Sequence, residues 1–75
     1  MRQKVLECLR EVCPAVDFES SCRLVDDGLL DSLAIISIIG ELMDRFRIDI
    51  DADDIVTENF NSLDGLTRMV EHKVA

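Results

Sequence analysis

The sequence predicts an all-α fold: a small four-helix bundle with three longer helices, one short helix and a long first loop. Apolar residues recur at helical spacing in three separate stretches. The only alternating run, Ile48-Asp49-Ile50, is too short and isolated to build a sheet. Residues that start or stop helices stand at the edges of these stretches, with Pro14 after the first and Asp31 before the second.

The first helix is expected from Arg2 to Cys13, where Val5, Leu6, Leu9, Val12 and Cys13 make one stripe. Pro14 ends it, because proline removes a backbone donor and disfavours helix at the residue before it. Ala15 to Leu30 is then a loop longer than an ordinary helix connection, of the kind that is functional or pinned by its own side chains. Phe18, Leu24 and Val25 are the residues to pin it, and Asp27-Gly28 supplies turn chemistry.

The second helix is expected from Ser32 to Phe46 or Arg47, with Asp31 as its N-cap. Ile35, Ile38, Ile39, Leu42 and Phe46 form a core stripe. Leu33, Ile36, Gly40 and Met43 form an adjacent strip with Ser32 on its edge. A small domain is not expected to cover both strips, so the second is a candidate partner surface. Ser32 occupies the first helical position, where the helix dipole suits a phosphate.

Beyond it, Ile48 and Ile50 are expected to fold onto the core. Asp51 to Ile55 can form a short helical turn capped by Asp51, with Ile55 and Val56 pointing inward. Thr57 to Asn61 leads to a last helix capped by Asn61 or Ser62, with Leu63, Leu66, Met69, Val70 and Val74 at helical spacing. Arg68, His72 and Lys73 fall toward its C-terminus, the sign that the dipole favours.

Composition limits the function. The chain has 75 residues, expected to form a single domain over 1–75, and a net charge of −8 from sixteen acidic and eight basic residues. That sign excludes binding to a nucleic-acid backbone and suits basic patches on protein partners. Ser37, Gly40 and Glu41 interrupt the longest apolar run, so no transmembrane segment is expected, and the charged N-terminus does not read as a signal peptide. Cys8, Cys13 and Cys22 lack C-x-x-C spacing; Cys8 and Cys13 read as small hydrophobes on a helix face, not as metal ligands. The sole His72 stands far along the chain from all three, so no catalytic thiol–base pair is expected. Asp49, Asp51 and Asp53 match the first, third and fifth ligand positions of a calcium loop. Asp54 replaces the required Gly and Phe60 the final Glu, so the run reads as a solvated acidic surface and no metal site is expected.

Gly28-Leu29-Leu30-Asp31-Ser32-Leu33, an amphipathic helix ending Asp44-Arg45-Phe46, and then I-D-I, D-D-I and E-N-F-N-S-L resemble the phosphopantetheine-dependent carrier proteins, the acyl carrier protein-like family. The resemblance spans essentially the whole chain, and its Gly-Leu-Leu-Asp-Ser form is most like D-alanyl and other aminoacyl carriers. It implies an acyl-carrier type of helical bundle with 4′-phosphopantetheine attached to Ser32, and with Asp31 helping to engage the transferase. It also implies a docking face along the second helix that includes Leu33, Ile36, Gly40, Met43 and Asp44. This chain has Ser37, Gly40 and Met43 where fatty-acid carriers commonly show Glu, Met and Glu, a departure from those partners.

The expected function is therefore that of a cytoplasmic, monomeric, non-catalytic carrier holding an aminoacyl group, D-alanine among the candidates, as a thioester on the arm. Its expected partners are a phosphopantetheinyl transferase, an adenylating ligase or acyltransferase, and a downstream acceptor enzyme. The alternatives are a fatty-acid or polyketide acyl carrier, or a helical interaction module without a prosthetic group.

Overall fold

The computed structural model describes residues 1–20 and 22–74. Its helices are α1 (Arg2–Val12), α2 (Ser32–Phe46), α3 (Thr57–Phe60) and α4 (Leu63–Val74), with a 3-10 turn at Ala52–Asp54. Among the described residues there is no strand.

Each long helix turns its apolar stripe to one shared core. Helix α1 buries Val5, Leu6, Cys8 and Leu9; α2 buries Ile38 and Leu42; α4 buries Leu63, Leu66, Met69 and Val70, while Val74, at the helix end and past the core, is exposed. Cys13 lies just past α1, its N–H donating to the Leu9 carbonyl at 2.8 Å. The α2 stripe is narrower than the sequence predicts, since Ile35, Ile39 and Phe46 pack against the core from its margin and stay half-buried.

The long first loop is pinned as expected. Phe18, Leu24 and Leu30 are buried, and Val25 packs beside them. Gly28 takes a positive φ of 75°, the left-handed region that glycine enters without a Cβ penalty. The Asp17 carboxylate accepts from the Ser20 hydroxyl at 2.6 Å and from the Glu19 and Ser20 amides, which lowers its pKa from the usual range.

Helix α2 ends at Arg47, a left-handed cap with φ 54°, whose N–H reaches the Met43 carbonyl. Ile48 is then buried and Ile50 half-buried, as the short alternating run implies.

The short turn beyond Ile50 forms as expected, a three-residue 3-10 turn capped by Asp51, but Ile55 and Val56 point outward, not inward, at 45% and 44% exposure. So short a turn has no second face to bring them back to the core. The inward place goes instead to Phe60, at the end of the extra helix α3. Helix α4 then approaches α3 at Gly65, where an added Cβ would lie 2.6 Å from the Glu58 carbonyl oxygen.

Surface ion pairs tie the elements together. Arg2 meets Asp64 at 3.0 Å, joining α1 to α4, and Arg45 bridges from α2 to Glu11. Arg10 reaches Glu19 of the loop at 2.7 Å.

Candidate functional site

The site is built at the start of α2 by the division of work between two adjacent residues. Asp31 is extended (φ −93°, ψ −179°), and its Oδ1 accepts from the Ala34 N–H at 2.8 Å, while its carbonyl begins the helical ladder with Ile35 N at 2.9 Å. The capping position is thus filled by a carboxylate. Ser32 is relieved of that role and stands exposed at the first helical position; among the described residues no hydrogen bond engages its hydroxyl. A free hydroxyl on a rigid helix start is open to an incoming enzyme, and the N–H groups of the first turn favour the negative charge of a phosphodiester there.

An apolar surface flanks this serine. Leu33 is 76% and Ile36 64% exposed, and Gly40 and Asp44 are exposed further along the same side. Met43 is only half-buried, partly withdrawn from the strip. On the other side of α2, Ile35 lines a shallow cavity of about 120 Å³ together with Val25, Ile55, Val56, Thr57 and Phe60. The outward Ile55 and Val56 therefore extend the apolar surface beyond α2, which the helical wheel of α2 alone could not reveal.

Asn61 was also missed as more than a helix start. Ser62 takes that role, its Oγ accepting from Gly65 N at 2.9 Å. Asn61 turns to the loop before Ser32 and accepts from the backbone of Val25 and Asp26.

The other sequence features stay apart from the site or bear on it only by charge. All three cysteines are free: Cys8 buried, Cys13 half-buried and Cys22 exposed. Burial pushes the Cys8 thiol up to about 11, and burial, with the nearby Asp31 charge, raises that of Cys13. Within the acidic run, the Asp54 carboxylate faces Lys73 at 2.7 Å. Among the described residues, no group of three or more His, Cys, Asp or Glu side chains is placed to hold a metal ion, and no helix is long and apolar enough to cross a membrane.

The family model described as "Phosphopantetheine attachment site" matches residues 3–70. The chain belongs to this family. It is a carrier protein whose prosthetic group is covalently bound 4′-phosphopantetheine. The chain is similar to the D-alanyl carrier protein of Bacillus mycoides (strain KBAB4), 33% identical over 55 residues that cover 71% of this chain and 70% of that one. The same figures hold for the D-alanyl carrier proteins of Bacillus cereus (strain B4264) and Bacillus anthracis (strain CDC 684 / NRRL 3495). No solved structure gives a significant match. Carrier proteins are in general not catalytic, and family membership implies work with a transferase and with other enzymes.

Proposed function

We propose that Ser32 is the attachment residue and that the chain is a monomeric, single-domain aminoacyl carrier, with D-alanine as cargo. The observation that carries the assignment is the exposed Ser32 hydroxyl, left unengaged because Asp31 caps α2 in its place. When attached, the arm supplies a terminal thiol that holds cargo as a thioester. The chain's own residues present that arm and catalyse no step. Ser32 supplies the oxygen of the phosphodiester, and the transferase supplies the base and the metal ion, so no activating His or Lys is needed beside it. Asp31 both caps the helix and faces the transferase.

The D-alanyl assignment is supported by the relatives' name and by the Gly28-to-Ser32 form. Leu33, Ile36 and Gly40, with Met43 at the margin and Asp44 beyond, form the docking face for an adenylating ligase and a downstream acceptor enzyme. The carrier works in the cytoplasm, with the coenzyme A pool that feeds its modification.

Incubation with a broad-specificity phosphopantetheinyl transferase, coenzyme A and Mg²⁺ should raise the intact mass by one arm, and Ser32→Ala should fold but gain nothing. A D-alanine-activating ligase with ATP should then charge the modified protein. Wild type that stays unmodified where a control carrier is loaded would refute the assignment. A modified protein that accepts only fatty or polyketide acyl groups would overturn the cargo.

A further inference from the structure

Asn61 stands 29 residues after Ser32, yet its side chain and its carbonyl are committed to the loop that leads into Ser32, while its N–H donates to the Thr57 carbonyl at 2.9 Å and closes α3. Its backbone carbonyl accepts from Leu24 N at 2.8 Å. Its Oδ1 accepts from Val25 N at 2.9 Å and from Asp26 N at 3.1 Å, and its Nδ2 donates to Asp26 Oδ2 at 3.0 Å. Three consecutive loop amides thus end on one residue.

The loop continues the chain of contacts toward the serine. The Leu24 carbonyl accepts from both Leu29 N and Leu30 N, at 2.9 and 3.0 Å. Asp27 N reaches the Arg23 carbonyl at 2.8 Å, and Gly28 N the Val25 carbonyl at 3.0 Å. Leu30 is buried, and the next residue, Asp31, caps α2. From Asn61 to Ser32, every step is therefore a hydrogen bond or a short covalent link.

We infer that Asn61 is a positioning residue for arm transfer: it fixes the pose of the 24–31 segment that the transferase meets around Ser32. This inference rests on the assignment of Ser32 as the attachment residue. The physical reason separates it from a simple staple. Leu24 and Leu30 anchor the loop by burial, and neither takes a hydrogen bond from the Asn61 side chain. The Asp26 amide and carboxylate that Asn61 holds lie at the exposed surface, where water can take over their hydrogen bonds. Losing the side chain thus costs the loop its single pose more than it costs the protein its fold, and a misplaced reacting group is slow to react.

The test measures kcat and KM for arm transfer by intact mass, at a temperature where circular dichroism shows each variant folded. Amide hydrogen exchange is followed in parallel. Asn61→Ala should lower kcat/KM by about tenfold. It should speed exchange at Val25 and Asp26, and at Leu29 and Leu30, whose amides donate to the Leu24 carbonyl, while the buried amides of α1 and α4 keep their protection. Asn61→Asp should also be slow, because it sets two carboxylates face to face. Adding Asp26→Asn restores one amide facing one carboxylate and should recover most of the rate, which a purely structural loss would not do.

A folded Asn61→Ala that loads like wild type would overturn the inference, as would a double variant no faster than Asn61→Asp. If wild type itself gains no arm at Ser32, the attachment assignment fails separately. The role in arm transfer falls with it, and exchange at Leu29 and Leu30 then reports on the loop alone, unchanged protection in Asn61→Ala refuting the hold of Asn61 on the 24–31 segment as well.

Discussion

The Lys73 ammonium lies 2.7 Å from Asp54 Oδ2, joining the end of α4 to the 3-10 turn after Ile50. The same carboxylate accepts from Asp51 N at 2.9 Å. The Lys73 bond and the Asp51 amide lower the pKa of Asp54 below its usual 3.8, and the Asp54 bond raises that of Lys73 above 10.5. A lowered carboxylate stabilises the fold above its ordinary pKa and loses that effect as pH falls through the folded value. A raised ammonium stabilises below its ordinary pKa and loses the effect as pH rises through the folded value. The melting-temperature difference between wild type and Asp54→Asn should therefore stay level through neutral pH and shrink on acidification below about 4. A difference unchanged in strong acid would show that the pair does not stabilise the fold.

Helix α2 offers a contrast between neighbours. Leu42 is fully buried, so Leu42→Ala should cost about 2–5 kcal/mol, while half-buried Ile39→Ala should cost less. Ile36→Asp, at an exposed position, should change stability by no more than about 0.5 kcal/mol. It should still impair cargo loading, because the new charge must be desolvated against an apolar partner. Met43 is a poorer probe, being half-buried. Denaturant melts and a loading assay on the same variants give both readouts. Unimpaired loading of Ile36→Asp would remove this strip from the docking face.

Gly65→Ala sets helix propensity against space. Alanine favours a helix interior by about 1 kcal/mol over glycine. Here its Cβ would lie 2.6 Å from the Glu58 carbonyl oxygen and 3.2 Å from that of Asn59, both backbone atoms that cannot rotate aside. The clash should win, with a net loss of about 1–3 kcal/mol in urea unfolding. A gain in stability would mean that α3 can slide away from α4.

Thr67 carries the opposite expectation. Its residue is buried and its Oγ1 has no hydrogen-bond partner among the described residues. Thr67→Val keeps the branched shape and removes the unmet hydroxyl, so it should stabilise by about 1 kcal/mol. In a chain of this size that is a rise of about 4–8 °C in Tm. The chain has no Trp or Tyr, so circular dichroism is the suitable probe.

What the sequence revealed was local. Asp31 and Ser32 could be assigned because a cap and its helix lie within four residues, and Phe18 and Leu24 because a long loop needs apolar anchors. The inward turn of Ile55 and Val56 was misread because a three-residue turn carries no periodicity to set a face. Asn61 followed by Ser62 looks like a helix start whichever residue caps it. Its true partners, Val25 and Asp26, lie 36 and 35 residues earlier, and no local pattern links them.

The raised cysteine thiols have a consequence for the lifetime of the cargo. A thioester is lost to any neighbouring thiolate, so a carrier with three cysteines of its own risks acylating itself. With its pKa at about 11, buried Cys8 is ionised in roughly one molecule in ten thousand at pH 7. The pKa of Cys13 is raised first by burial and then by the charge of Asp31, the residue next to the proposed root of the arm. Asp31→Asn retains a cap oxygen but drops that charge, so it should shorten the half-life of the loaded thioester at mildly alkaline pH. Adding Cys13→Ser should restore it; equal half-lives for the single and double variants would show that no cargo leaks to this thiol.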